Sequence, residues 1–433
     1  IHQQATKTVT IEKWTGIILL VISGVCLFLP NLEADVFYYC VAVTATLSAG
    51  GLWHNALIKK NGIGFLEAAA ASAIALLFWF SHFERTWLIL ICFSFYMLFC
   101  GANELLQWVF NKRDHASGNW RHLLAGLLYL ALSILSFAYR QDDVVLVMRY
   151  FGLYLLIQAV QLFLEIYYSK HPDSTRSLSL KNWVSLPVYI VSFLPGISLH
   201  LMMKSKYKNH PLQYDSRKND EEVNLRVCIH SGLSGEKMMG HMTFSYKDVM
   251  YSYGNYAESE EKFFRSTGPG IFFTVPAEIY INNSCIYEHS TIFEYGLHIT
   301  PEQEAKLQDI LNGIFENTYR WECPLEADAQ GRHNFAKYES DYSCRLFYRT
   351  GAKYRKFKSG QWKTYWILGD NCSLFAEDIL SRIGCNIVHK TGIISPGEYF
   401  EFFETAYQDP KSNVITKSWH DASEPSTLYS TFA

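Results

Sequence analysis

Long uncharged runs fill the first 200 positions, and from Asn224 onward they give way to short alternating runs separated by turn residues. A helix needs about 20 apolar residues to cross the hydrocarbon core of a bilayer. Six stretches approach or exceed that length: Trp14 to Leu29, Val36 to Ile58, Ile63 to Phe80, Trp87 to Phe110, Trp120 to Tyr139 and Val144 to Ile166. Several begin or end at Trp or Tyr, as anchoring at the membrane interface predicts. A seventh, Trp183 to Met203, is uncharged but carries Pro187 and Pro195, so it spans, kinks or re-enters. The first six fall into three helical hairpins starting near Gly16, Gly64 and Ala125, a repeat of about 50 residues. The second helix of each has a small-residue patch (Ala49-Gly50-Gly51, Gly101-Ala102, Ala159). Small residues let transmembrane backbones approach closely, which predicts a compact six-helix bundle.

The later half carries the other periodicity. Leu225 to His230, His241 to Tyr246, Val249 to Tyr253, Ile271 to Val275 and Ile292 to Ile299 read as strands, with Lys247-Asp248 as a hairpin turn. Thr300-Pro301-Glu302-Gln303 supplies a capping box, and Leu307, Ile310, Leu311, Ile314 and Phe315 give one apolar face to a helix of about 15 residues. Further on, an aromatic strand over Trp362 to Leu368 runs into Gly369-Asp370-Asn371. A second helix then starts, whose apolar face is Cys372, Phe375, Ala376, Ile379, Leu380 and Ile383, with Gly384 suited to end it. The stretch from Ser418 to Ala433, rich in Ser and Thr, reads as a loosely docked tail.

Composition narrows the functional classes. With 433 residues, 49% of them hydrophobic, the chain is long enough for two or three domains and too apolar to be disordered. A net charge of -3 gives no basic face for nucleic acid, so no nucleic-acid partner is expected. Cys26, Cys40, Cys92 and Cys100 lie in the apolar runs as small buried hydrophobes. Cys228, Cys285, Cys323, Cys344, Cys372 and Cys385 show no CxxC spacing, so neither a metal site nor a cofactor is expected. No A-x-A site follows the first apolar run, which reads as a span and not as a cleavable leader.

Charge also orients the chain. With the N-terminus inside, one set of loops holds Lys7, Lys13, Lys59, Lys60, Lys112, Arg113, Arg121, Lys170, Arg176 and Lys181, and the opposite loops hold Arg85 and Arg140. A crossing seventh segment then makes the C-terminal domain extracytoplasmic, although Lys204, Lys206 and Lys208 argue for the inside. The expectation is crossing. Glu67, Glu104 and Arg149 lie in or near spans and are expected to snorkel or to pair within the bundle.

The chemistry centres on Cys372. In the first turn of a helix, unsatisfied N–H groups and the helix dipole stabilise a thiolate and can also hold an oxyanion. A thiol nucleophile needs a base, and His241 shares a strand face with Thr243 and Ser245. A two-residue turn at Lys247-Asp248 sets His241 opposite Gly254 and Thr243 opposite Ser252. Gly254 leaves room beside the imidazole, and Ser252 becomes a diagonal neighbour able to orient the ring. His230, His289, His298 and His333 are rival bases. A packed small hydrophobe at Cys372 and a structural histidine at 241 are the plainer alternatives.

Two resemblances add to this reading. The hairpin layout and Leu29-Pro30 after the first helix resemble the HdeD family of bacterial inner-membrane proteins over roughly residues 10 to 168. The order of histidine strand, hairpin, helix, strand and Asn371-Cys372 helix start resembles the circularly permuted papain-like group, which includes lecithin:retinol acyltransferase and NlpC-type enzymes. Closer is the likeness to bacterial lipoprotein N-acyltransferases over roughly 224 to 400. It is carried by His241, Tyr251-Ser252-Tyr253-Gly254, Leu297-His298-Ile299-Thr300-Pro301-Glu302-Gln303 and Asp370-Asn371-Cys372. The insertion from Glu322 to Lys358 and Ser373-Leu374 depart from that pattern. The resemblance implies Cys372 as nucleophile, His241 as base, Ser252 as a third member and Asn371 in support.

The expected fold class is therefore a membrane α-helical bundle of six or seven transmembrane helices plus an α+β permuted papain-like domain. Its expected partition is 1–168 (bundle), 169–223 (linker with the seventh segment), 224–410 (cysteine domain) and 411–433 (polar tail). The expected activity is acyl transfer in a bacterial inner membrane. A phospholipid ester acylates Cys372, and an amine such as a lipoprotein N-terminus accepts the chain. A cell-envelope amidase or peptidase is the second enzymatic reading. A non-catalytic membrane stress protein is the third, and it predicts that Cys372 and His241 lie far apart.

Overall fold

The computed structural model describes residues 2–29, isolated helical positions between 43 and 79, and residues 85–116, 120–138, 144–169, 215–216, 221–232, 241–263, 265–329, 331–385, 396–408 and 412–420. The chain divides into two compact units: Glu12–Ala102 with Leu124–Phe163, and Ile1–Ile11 with Asn103–Leu123 and Leu164–Ala433. The linear partition expected from sequence did not anticipate that 103–123 groups with the C-terminal half.

Helices α1 (His2–Phe28), α2 (Arg85–Arg113), α3 (Trp120–Ala138) and α4 (Val144–Ser169) coincide with four of the six apolar stretches. Among the described residues one helical stretch, Trp120–Phe137, is long and apolar enough to cross a membrane; Gly16–Phe28 and Met148–Ile157 are shorter apolar pieces. Six or seven spans are therefore not shown among the described residues. The second and third stretches are described only at isolated positions, and the seventh segment and Glu67 lie outside the described residues.

Close backbone approach in the helical unit uses small residues, as expected. Ser23 donates to the Gly152 carbonyl at 2.7 Å, and a Cβ at Gly152 would lie 2.9 Å from Cys26. A Cβ at Gly101 would lie 2.9 Å from Leu130, and Ser133 donates to the Ser94 carbonyl at 2.9 Å. Outward positions are apolar, among them Ile18, Val21, Phe95, Leu124 and Ile134.

The second unit is built on a large antiparallel sheet. Its strands are β1 (Asp215–Ser216), β2 (Leu225–Gly232), β3 (His241–Tyr246), β4 (Val249–Gly254), β6 (Ile271–Pro276), β7 (Ser290–Leu297), β8 (Thr318–Trp321), β9 (Lys353–Phe357) and β11 (Val414–His420). They are ordered β1-β11-β7-β2-β3-β4-β6-β9-β8, while β5 (Thr267–Pro269) and β10 (Thr364–Trp366) form a separate ribbon. The unit's helices are α5 (Ala277–Asn282), α6 (Pro301–Glu316), α7 (Pro324–Ala327), α8 (Tyr342–Thr350), α9 (Cys372–Arg382) and α10 (Pro396–Gln408). Strand alternation sorts the core onto two faces. Val227 and Ile229 join one apolar cluster with residues of α6, α9 and α10, and Cys228 joins another with residues of α5 and α8.

Local chemistry explains the elements that frame the site. Thr300 and Gln303 form the reciprocal capping box that starts α6. Lys247 and Asp248 both take positive φ, 50° and 59°, as a two-residue hairpin turn requires, and they set the pairing Tyr246↔Val249. Gly384, at φ 83°, follows the end of α9. The tail expected from 411 is corrected: Val414–His420 pairs antiparallel with β7, Val414 and Ile415 are buried, and Trp419 stacks on Phe293. Its Ser and Thr content masked a short run able to close a sheet edge. The insertion from 322 to 358 contributes α7, α8 and β9, so it is integral to the sheet.

Candidate active site

Asn371 has extended φ/ψ and caps α9, accepting the Leu374 N–H at 3.0 Å while its amide donates to the Ile367 carbonyl at 3.2 Å. Cys372 is thereby the first residue of the helix, and every side chain from Cys372 to Ser381 is buried. Phe375 anchors the helix on the sheet. It stacks on Tyr253 with ring centroids 4.8 Å apart and meets the Trp362 ring edge-on at 5.1 Å.

The β3–β4 ladder keeps the expected register from Tyr246↔Val249 to Phe244↔Tyr251 and stops there. Continued by two residues, it would have paired Met242 with β4. Instead the Met242 N–H, the His241 imidazole and the Ser373 hydroxyl all lie around the Cys372 sulfur. Burial of Cys372 opposes ionisation, but the adjacent imidazole and the polar groups around the sulfur outweigh it and hold the thiol below its ordinary pKa.

The sequence-derived trio comes together around that sulfur. His241 Nε2 lies 2.8 Å from Ser252 Oγ and 3.0 Å from the Tyr256 hydroxyl, and those two hydroxyls are 2.8 Å apart. Tyr256 was missed from sequence. It fills the space above Gly254, where a Cβ would lie 2.7 Å from its ring, so the room left by that glycine serves the tyrosine. Burial pushes the Tyr256 phenol well above its ordinary value, so it stays a proton donor.

Among the rival histidines, His230 sits with its ring centroid 5.6 Å from that of His241 and its Nε2 3.1 Å from Thr243 Oγ1. Burial pushes its pKa well down, so it is neutral beside the site. His298 donates from Nδ1 to the Glu222 carbonyl at 2.9 Å. The His333 side chain lies outside the described residues.

A second missed group surrounds the turn before Cys372 and comes from the end of α2. Trp366 Nε1 donates to Asn103 Oδ1 at 2.9 Å, and Phe110 meets the Trp366 ring at 5.8 Å. Gln107 Nε2 donates to Asp370 Oδ2 at 2.6 Å and to Asn111 Oδ1 at 2.9 Å, while Gln361 Nε2 donates to Asp370 Oδ1 at 2.6 Å. The Thr364 hydroxyl donates to Asp114, whose carbonyl accepts the Gly360 N–H at 2.6 Å. Asn103, Gln107 and Asn111 recur every four residues, a polar stripe in an apolar run that marks them in hindsight. Nearby, Glu104 pairs with His122 at 2.8 Å with both side chains buried, matching the expectation of pairing within the bundle.

No described group of His, Cys, Asp and Glu side chains could hold a metal ion. No curated protein and no solved structure matches the chain. Residues 66–138, which include all of α2 and α3, match the family described as "Short repeat of unknown function (DUF308)"; this HdeD-like domain and the apolar α3 support association with a membrane.

Proposed function

We propose that the protein is a membrane-bound thiol acyltransferase or hydrolase with Cys372 as nucleophile and His241 as base, on a permuted papain-like domain. The observation that carries this reading is the His241 imidazole beside the Cys372 thiol at the start of a buried helix, where it favours the thiolate. With the Nε2 proton donated to the Ser252 or Tyr256 oxygen, Nδ1 carries the lone pair that takes the thiol proton. The thiolate attacks the carbonyl carbon of a phospholipid ester. The N–H groups of Cys372 and Ser373, which precede the capped Leu374 N–H, face the developing oxyanion. Collapse releases the lysophospholipid alcohol, which regains its proton from His241, and leaves a thioester on Cys372. An amine then takes the acyl chain as an amide, or water releases it as a fatty acid. A lipoprotein N-terminus is the acceptor that the resemblance to lipoprotein N-acyltransferases suggests.

Incubation of the full chain with phospholipid vesicles should give a hydroxylamine-labile acyl adduct by intact mass. Cys372→Ala should abolish it; an undiminished adduct in that variant overturns the reading.

The same geometry bears on sidedness. Asn103–Leu123 belongs to the unit that contains Cys372, and Lys112, Arg113 and Arg121 flank the turn between α2 and α3. Basic residues are retained on the cytoplasmic side, so the sheet domain belongs on that face of a bacterial inner membrane. This departs from the extracytoplasmic placement expected from a crossing seventh segment, and it favours water or a cytoplasmic amine as acceptor. A fluorescent reporter that matures only in the cytoplasm, fused after Ala433, should light up; a dark fusion at normal expression, with an active periplasmic reporter at the same site, overturns this placement.

A further inference from the structure

We propose that Gln107, on the last turns of α2, is a positioning residue for Cys372, acting through Asp370; the inference rests on Cys372 being the reactive thiol. Gln107 donates to Asp370 at 2.6 Å, and Asp370 lies two residues before Cys372. Both side chains are buried. The contact is also close, because a Cβ on Gly369 would lie 2.3 Å from Gln107 Oε1 and would have to displace this amide. Asn103 and Asp114 hold Trp366 and Thr364 on the same helix end, so the strand leading to the turn and the turn itself share one support.

The position of the turn determines where α9 begins. Asp370 O accepts the Trp366 N–H at 3.2 Å, the Gly369 carbonyl accepts the Asn371 N–H at 2.8 Å, and Asn371 then caps the helix. A displaced Asp370 carries Asn371 with it, and Cys372 loses its registry with the Met242 N–H and the imidazole. The thiol then loses the groups that favour its ionisation.

The test reads Cys372 alone. The full chain in detergent is alkylated with iodoacetamide across a pH series, and modification of the Cys372 peptide is followed by mass, alongside the unfolding midpoint. Gln107→Leu removes the donor and should slow alkylation at neutral pH about tenfold, with the profile displaced towards higher pH. Gln107→Glu sets one carboxyl against another and should slow it further. Combining Gln107→Glu with Asp370→Asn reverses the direction of the hydrogen bond and should restore the profile to within about twofold of the parent. An unchanged profile in the folded Gln107→Leu and Gln107→Glu chains, even with lowered midpoints, overturns the proposal. If either single variant does not fold, failure of the double variant to recover the profile overturns it equally. The acyl adduct is a separate readout: a displaced alkylation profile with no adduct on the parent chain leaves the positioning role standing and removes the acyl-transfer reading.

Discussion

Replacing His241 with Ala should slow alkylation of Cys372 at neutral pH by a factor of about 100 or more and move its pH profile up, above the ordinary thiol range near ~8.5. The sign follows from the opposing influences on the sulfur. Burial disfavours the thiolate, and the imidazole leads the groups that favour it. In the parent chain the thiolate forms at lower pH than in a free cysteine. Without the imidazole, burial dominates and the Met242 N–H and Ser373 hydroxyl compensate only in part. Ser252→Ala should have a much smaller effect, since Tyr256 still reaches Nε2 at 3.0 Å. Peptide mass after timed alkylation measures both, and the buried Cys228 and Cys385 serve as internal controls. A His241→Ala profile that coincides with the parent's would remove the imidazole from the chemistry.

Phe375→Ala should be the most destabilising single change in α9, costing about 3–5 kcal/mol. Phe375 is 2% exposed and sits among Tyr253, Trp362, Phe272 and Phe357, with ring centroids 4.8 to 6.2 Å away. Removing the ring leaves a cavity that four aromatic neighbours on different elements cannot close together. Domains of this size are stable by only about 5–15 kcal/mol, so the loss is a large share of the total. The denaturant midpoint of the sheet unit measures it. Phe375→Leu, which keeps most of the volume, should recover more than half; equal loss in both variants would mean that packing against Tyr253 is not what anchors the helix.

The elements legible in sequence were those whose cause is local. The β3–β4 hairpin followed from alternation and a two-residue turn, and the observed pairing Phe244↔Tyr251 has the expected register. The start of α6 followed from Thr300 and Gln303, and the start of α9 from Asn371 and an apolar face that is buried as anticipated. Cys372, His241 and Ser252 converge because that hairpin and helix fix them. What escaped was tertiary. Nothing local in Tyr253-Gly254-Asn255-Tyr256 indicates that the second tyrosine folds back over the glycine, where the ladder has stopped three residues short of the expected His241↔Gly254 pair. Gln107 and Asn103 sit in a run whose hydrophobicity predicted a membrane span, and their partners lie about 260 positions later, beyond any periodicity. The strand Val414–His420 was hidden by composition, because its apolar residues are few and its pairing with β7 supplies most of the order.

The support that α2 gives to Trp366, Thr364 and Asp370 bears on how this gene could have been assembled and how it can be cut. Asn103 to Asp114 fall inside the 66–138 repeat, yet they belong to the unit of the sheet and hold the turn before Cys372. A truncation beginning at residue 221 would express the sheet without the amide and indole-binding partners of the turn before Cys372. A chimera carrying another repeat in place of 66–138 would need Asn103, Gln107 and Asp114 transplanted at the same spacing. Substitutions on the two sides of this seam should therefore have been inherited as matched sets, so the boundary drawn by sequence similarity is not the boundary at which the protein can be recombined.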